Sequence, residues 1–309
     1  MVSVIMPVLN ATETIEAAIA SAFDNEDISV EILVVDDGSD DGTIDLVTGM
    51  GDERIRTLST GGHRLGANAG RNVALDAARG EWVAFLDPDD TWIPGRLKTL
   101  LDVADQTGAS WVGDDILVVH VDSEGKEIGT STVLAERGLD VDDIFPLGLT
   151  DLVRYDLGVL QPMISRKLLE EPRIRFPRPA TSDFTFLFWS LRAAGKAVVY
   201  PEAMYRYNKV EGVATMSHAS PAFWLDSVES TAQLLADAQE LEPEVVAALE
   251  RRLAEGTRKY HYLKMRQDLD AGHIADAALR ALRHPSSLSV AAESVVRRIS
   301  SARNKGGSK

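Results

Sequence analysis

The 309-residue sequence contains no cysteine. A chain without thiols builds no disulfide framework, offers no thiolate nucleophile and holds no zinc through sulfur. Positive charge is also scarce: 32 Lys and Arg stand against 48 Asp and Glu, for a formal net charge of −16. General nucleic-acid binding needs a basic footprint, so the chain is not expected to act on nucleic acid. Long apolar runs are missing as well, and a membrane-spanning helix needs about 18 or more such residues in a row. The opening "MVSVIMPVLN" lacks a basic n-region and turns polar too early for a signal peptide. These absences predict a cytoplasmic chain, soluble or peripheral on the inner face of the cell membrane.

What is present is an ordinary globular balance, 45% hydrophobic and 26% charged. Charge is unevenly placed. Residues 280–309 carry seven Lys and Arg against Glu293 alone, a net of +6 that leaves −22 for the rest. A basic tail on an acidic body is a feature to explain.

The first 120 residues alternate strand and helix signals. "VSVIMPV", "VEILVVDD", "EWVAFLD" and "ASWVGDDILVVHV" are β-branched and continuously apolar, as strands buried on both faces are; "RIRTLS" is a weaker one. Between them, "ATETIEAAIASAFDN" reads as a helix with Thr12 as its N-cap. "GTIDLVTGM", "LGANAGRNVALDAARG" (ended by Gly80) and "PGRLKTLLDVADQTG" (opened by Pro94) are the other helices. Repeated β-α units predict a mostly parallel sheet with helices on both faces. From 121 to 218 the pattern loosens, with a hairpin or loop at "VDSEGKEIGTST" and a helix at "SDFTFLFWSLRAAGK". From 219 to 309 strand signals vanish and helices follow one another. Three regions are therefore expected: 1–120, 121–218 and 219–309.

In an open parallel sheet, ligands sit beyond the carboxyl ends of the strands. Here those ends carry "PVLN", "DDGSDDGT" and "DPDDTW". A single strand ending in aspartate is ordinary, because Asp caps helices and makes Asx turns. Two strands delivering this many acids to one edge call for a counter-charge, and a hard divalent cation with oxygen ligands supplies it. Mg²⁺ and Mn²⁺ sites of this kind use one or two carboxylates plus substrate phosphates, which points to a diphosphate. The glycine-rich "GGHRLGANAGRN" adds Arg64 and Arg71 and runs into a helix, where N–H groups meet anions. Arg71 paired with nearby aspartates for structure alone is the alternative. Other sites are excluded. No G-x-G-x-x-G follows the first strand, and Walker A, G-x-S-x-G and H-E-x-x-H are missing. An EF-hand loop begun at Asp37 would end on Thr48 instead of an acid.

The ordered segments "VSVIMPVLNATETIEAAIASAF", "ILVVDDGSDDGT" and "GANAGRNVALDAARGEWVAFLDPDD" closely resemble the family 2 glycosyltransferases with the GT-A fold, over residues 1–97. The resemblance implies an α/β GT-A domain followed by a helical C-terminal region. It implies a metal-dependent, inverting transfer of a sugar from a nucleotide diphosphate donor, expected to be a UDP-sugar, to a saccharide or lipid-linked glycan. By position, Pro7, Val8, Asn10 and Glu13 would line the nucleotide pocket, and Asp37, supported by Asp36, would meet the uracil. Arg71 would sit beside base and phosphates. Asp87, Pro88 and Asp89 match the family's D-x-D, with Asp87 on the ribose or sugar, Asp89 on Mn²⁺ or Mg²⁺, and Asp90 as the further acid. Asp183, in "PATSDFTFLFWSLRAAG", matches the catalytic base, although Ser182 replaces the common Glu; a plain helix N-terminal acid is the other reading. His218 would reach the metal or diphosphate, with an ordinary surface or loop histidine the alternative. Trp92 and Trp189 are candidates for stacking on a sugar, with core packing the alternative.

Leu279, Leu282, Leu288, Val295, Val296 and Ile299 beside the seven basic residues suit either contact with an anionic membrane or a helical bundle. Two other functions stay open. A sugar-nucleotidyltransferase would share the architecture, but it calls for a glycine-rich activation loop where "PVLNAT" stands. A non-catalytic nucleotide- or glycan-binding module would keep the acids and lack a base.

Overall fold

The computed structural model describes residues 1–24, 28–62, 64–122, 124, 126–170, 173–177, 183–210 and 220–290. Two compact units divide the chain at Val213/Ala214.

The first unit opens with β1 (Val2–Val8), α1 (Ile15–Phe23), β2 (Val30–Asp36), α2 (Thr43–Gly49), β3 (Ile55–Ser59), α3 (Ala67–Ala77) and β4 (Trp82–Phe85). It continues through β5 (Thr91–Trp92), α4 (Arg96–Thr107), β6 (Trp111–Val121), β7 (Glu127–Thr132), α5 (Val133–Glu136) and β8 (Phe145–Pro146). It closes with α6 (Leu149–Arg154), β9 (Met163–Ser165), α7 (Arg166–Glu170), α8 (Phe184–Ala193) and β10 (Ala197–Val210). One ten-stranded sheet has the order β3-β2-β1-β4-β9-β6-β10-β5, with β7 on β6 and β8 on β10.

The longest ladders are parallel, as the repeated β-α units predict, and shorter antiparallel pairs make the sheet mixed. The β3-β2-β1-β4 half is parallel, and so is the β6–β10 pair. The β9 strand pairs antiparallel with both β4 and β6, and the β5, β7 and β8 pairings are antiparallel too. Those strands are short or come from the irregular middle of the chain, where no repeated β-α unit announced them. Every residue of β1 is buried, as its uninterrupted apolar run requires. A single sheet crosses residue 120, because β6 spans it and pairs with β10.

Helix starts also differ from the sequence reading. Helix α1 begins at Ile15 and α4 at Arg96, after Gly95, with Pro94 outside the helix. Helix α3 ends at Ala77, and Gly80 serves a different purpose. A Cβ at Gly80 would lie 2.6 Å from the Ser3 nitrogen and 2.8 Å from the Trp82 oxygen, so the turn presses against β1 where only hydrogen fits.

The second unit contains α9 (Pro221–Ala236), α10 (Pro243–Asp270) and α11 (Ile274–Arg283). Ser220 caps α9 by accepting the Ala222 N–H at 3.1 Å, and Pro221 takes the first helical position, where no N–H is needed. The α9 and α10 helices pack closely around Gly256, and Lys259 lies over the Trp224 ring at 4.3 Å.

Candidate active site

Three parallel strands bring their carboxyl ends to one edge. Val8 pairs with Asp36 and Ile5 with Phe85, so the segments after β1, β2 and β4 emerge side by side. That edge is the ligand position of open α/β sheets.

After β1, Pro7 and Val8 are buried, while Asn10 is exposed at φ 55, a left-handed conformation that Asn tolerates. Asn10 Nδ2 donates to Asp40 Oδ1 at 2.8 Å, and the Asp40 N–H returns a bond to Asn10 Oδ1 at 2.9 Å. Asp41 accepts the Thr12 N–H at 3.2 Å, the Thr12 hydroxyl at 3.1 Å and the Thr43 hydroxyl at 2.5 Å. The Thr43 hydroxyl is the main reason its carboxyl falls to about 2. Thr12 therefore ties two loops together and does not cap α1. Glu13 is exposed.

After β2, the paired acids part company. Asp36 Oδ1 accepts the Ser39 N–H at 2.9 Å in an Asx turn. Asp37 is buried, and its carboxylate accepts the Thr60 hydroxyl at 2.5 Å and the N–H groups of Leu65 (2.9 Å) and Gly66 (2.7 Å). Two N–H groups of the glycine-rich segment are thus committed to Asp37.

Helix α3 carries Arg71, which the fold buries. Close approach of α3 to β1 is possible because residue 70 is glycine: a Cβ there would sit 3.0 Å from the Pro7 Cβ. Arg71 donates to Asn68 Oδ1 at 3.0 Å, to Asp183 Oδ1 at 2.9 Å and to Asp87 Oδ1 at 2.8 Å. Its guanidinium also lies 5.3 Å from the Phe176 ring centre, and Phe176 stacks on Phe186. Burial opposes its charge, but Asp183 and Asp87 more than offset that, and its pKa rises. Asp183 lies just before α8, and its Oδ2 has no hydrogen-bond partner among the described residues. Burial raises the Asp183 pKa against the pull of Arg71, and the nearby Asp87 charge adds to the rise.

After β4, the chain turns at Asp87–Asp90. Asp87 is half-buried against Arg71, and Asp89 is exposed. Asp89 has no ion-pair partner among the described residues, and partial loss of water followed by the Asp87 charge raises its pKa. Asp90, expected on the donor, is turned inward with 4% exposure. Its Oδ2 accepts the Tyr205 hydroxyl at 2.7 Å and its Oδ1 the Asn208 N–H at 3.4 Å. The Tyr205 oxygen accepts the Asp87 N–H at 3.2 Å, so Asp90 and Tyr205 fasten the acidic turn to β10. Burial, then the charges of Asp87 and Asp89, push the Asp90 carboxyl to about 8.

Beneath the turn, Arg96 binds Asp114 through two bonds of 2.8 and 2.7 Å, both side chains being fully buried. The Arg96 guanidinium faces Trp92 at 4.8 Å and Tyr205 at 5.5 Å. Trp92 is accordingly a core residue, 4% exposed. Trp189 is half-buried on α8 against Phe188. His218 lies outside the described residues. Among the described residues, no group of three or more His, Asp or Glu side chains is arranged to hold a metal ion.

Residues 3–145 match the family model described as Glycosyl transferase family 2. Over these residues, just under half of the chain, the sequence resembles glycosyl transferase family 2. It is 33% identical over 214 residues to the succinoglycan biosynthesis protein ExoO of Rhizobium meliloti (strain 1021), covering 68% of this chain and 61% of that protein. A second relative is the UDP-Glc:alpha-D-GlcNAc-diphosphoundecaprenol beta-1,3-glucosyltransferase WfgD of Escherichia coli. It is 37% identical over 123 residues, which are 40% of this chain and 48% of WfgD. The chain therefore spans less than two thirds of either relative. Its fold is similar to S. aureus TarS 1-349 in complex with UDP-GlcNAc, with TM-score 0.63, 23% identity and coverage of 84% and 72%. It is also similar to the mannosyltransferase PcManGT from Pyrobaculum calidifontis in complex with GDP-Man and Mn2+, with TM-score 0.56, 18% identity and coverage of 93% and 82%. The fold is GT-A.

Tyr205, Asn208, Thr60 and Asn68 were not singled out by the sequence. Tyr205, Asn208 and Thr60 reach the acids from distant positions, Asn68 accepts from Arg71 within the same helix, and no local motif marks such contacts. Tyr205 and Asp90 are 115 positions apart.

Proposed function

We propose that the chain is a family 2 glycosyltransferase that moves a sugar from a UDP-sugar to a hydroxyl of a saccharide or lipid-linked glycan, with inversion at the anomeric carbon. The supporting observation is that Arg71 joins Asp87 and Asp183, the matches to the family's D-x-D and base, within one site. ExoO, WfgD and the UDP-GlcNAc complex of TarS favour a UDP-sugar donor and a polysaccharide or glycolipid acceptor.

Asp183 is the base. Its Oδ2, without a hydrogen-bond partner among the described residues, accepts the acceptor's hydroxyl proton as that oxygen bonds to the anomeric carbon. The bond from that carbon to the diphosphate breaks with its electron pair, and UDP departs. A raised pKa brings Asp183 closer to the operating pH, which favours proton transfer. The Arg71 guanidinium fixes the orientation of Oδ1 and places positive charge beside Asp87.

The donor set suits a divalent cation. Asp89 is an exposed carboxylate without a cation partner among the described residues, hard oxygen is the ligand type of Mn²⁺ and Mg²⁺, and diphosphate oxygens complete such sites. Asp89 would hold the ion, with Asp87 beside it; His218 remains a proposed additional ligand. When bound, the cation supplies neutralisation of charge on the departing diphosphate. Pro7, Val8, Asn10 and Glu13 are proposed to line the nucleotide pocket, with Asp37 at its base and Asp36 supporting it. The acceptor reading brings with it work at the inner membrane surface; no helix among the described residues is long and apolar enough to cross a membrane.

Calorimetric titration with UDP, with and without Mn²⁺, tests the donor site. Binding that needs both the metal and Asp89 is expected, so Asp89→Ala should abolish the metal-dependent part. Metal-independent binding unchanged in Asp89→Ala refutes the assignment. Release of pyrophosphate in place of UDP during turnover would mark a nucleotidyltransferase.

A further inference from the structure

The second unit carries an apolar helix face turned outward. On α11, Ile274 is 70% exposed, Leu279 45% and Leu282 79%, and Leu288 just beyond is 46% exposed. Ala277 is the buried residue of this helix. At 100° per residue, Ile274, Ala278 and Leu282 fall in line, with Ala275 and Leu279 beside them. An amphipathic helix in a water-soluble protein normally buries that side, and contiguous exposed apolar surface marks an interaction site.

Basic groups border the face. Arg280, Arg283 and His284, together with Leu279, Asp268 and Asp276, line a cavity of about 290 Å³ at the end of α11. Asp268 is answered within the unit by Arg280 at 3.1 Å and Lys264 at 3.9 Å. Arg283 has no ion pair among the described residues, and His284 stacks on His261 at 3.4 Å between ring centres. The sequence from Arg280 onward carries the net +6 noted above, on a chain of −16.

We infer that α11 is a membrane-docking helix: its Ile274–Leu279–Leu282 face enters the headgroup–acyl boundary of an anionic lipid surface while Arg283 faces the lipid phosphates. Charge complementarity selects this occupant. An acidic body is repelled by an anionic bilayer and a basic, apolar helix is drawn to it. A second copy of the chain fits less well, because a two-fold contact on this face would set Arg283 near its own symmetry mate. The inference deepens the proposed lipid-linked acceptor, yet docking needs neither donor nor acceptor.

The test uses the full chain and no nucleotide. Vesicles of phosphatidylcholine alone, and of phosphatidylcholine with phosphatidylglycerol, are pelleted with the protein at low and high salt. The wild type should pellet with the phosphatidylglycerol vesicles at low salt. The variant Ile274→Asp/Leu282→Asp, altered at exposed positions and checked for unchanged circular dichroism, should bind at least about tenfold less. Arg283→Glu should weaken binding and reduce its salt dependence. Equal pelleting of wild type and the double variant overturns the inference, as does pelleting that ignores phosphatidylglycerol. Absence of pelleting with concentration-dependent dimerisation, lost in the double variant, overturns it in favour of a second copy. UDP titration reads the first unit, so failure of the donor site and failure of docking are separable.

Discussion

Arg71 donates to Asp183 at 2.9 Å across 112 positions of sequence, and the same guanidinium holds Asp87 at 2.8 Å. One buried cation thus joins the acidic turn after β4 to the start of α8. The two carboxylates lean on it in different degrees of solvent, with side-chain exposures of 31% for Asp87 and 21% for Asp183.

Replacing Arg71 by Met should cost about 2 kcal/mol in denaturant-monitored stability, below the roughly 3–5 kcal/mol of a fully buried pair because both acids retain water. Asp183→Asn added to Arg71→Met should recover part of that loss, since one uncompensated charge is removed. Additive losses in the double variant would mean that the two residues are not coupled.

Asp183→Asn should lower kcat by about 10²–10⁴-fold while leaving UDP affinity within a factor of about 3. A base works unprotonated, so wild-type turnover should rise with pH through an apparent pKa above the ordinary carboxylate value of 3.8. That limb should vanish in the variant. A rate profile with its acid limb intact would assign the base elsewhere.

Asp90 makes a pH prediction for stability in metal-free buffer. Its folded-state pKa of about 8 lies above the unfolded 3.8, so between those values the folded protein holds a proton that the unfolded chain releases. Stability should therefore fall as pH rises through this window, with a slope from this group of at most about 1.4 kcal/mol per pH unit. Asp90→Asn should flatten the curve. Tyr205→Phe removes a bond that favours the charged form and should make ionisation of Asp90 harder still. A pH-independent melting temperature between 4 and 8 would contradict the buried placement of Asp90.

Gly80→Ala should destabilise by about 1–3 kcal/mol, because the new methyl meets backbone atoms that cannot swing aside. The Gly80 N–H also bonds the Ser3 hydroxyl at 2.8 Å, and displacement would strain it. Chemical denaturation checks this. A neutral effect would mean that the turn before β4 can relax.

The first half of the site was legible because its chemistry is local. "DDGSDDGT" and "DPDD" end continuously apolar strands, and parallel strands must deliver their ends to one edge. Asp183 was expected from the resemblance, not from pattern, since an acid ahead of a helix is commonplace. The burial of Asp90 was not legible, for a physical reason. Adjacent acids look equivalent in sequence, but the turn points Asp89 outward and Asp90 toward Tyr205.

Local pattern carries the β-α alternation of the first 120 residues, the helical end, the acidic strand termini and the uneven charge, since periodicity, strand composition and net charge depend on neighbours in the chain. Long-range packing sets which acid meets which cation, commits the Asp37 carboxylate to Thr60, Leu65 and Gly66, and adds short antiparallel strands to a parallel framework. Those outcomes depend on contacts between residues tens to more than a hundred positions apart, such as Arg71 with Asp183. Burial and competing donors fix such contacts, and no local pattern encodes either.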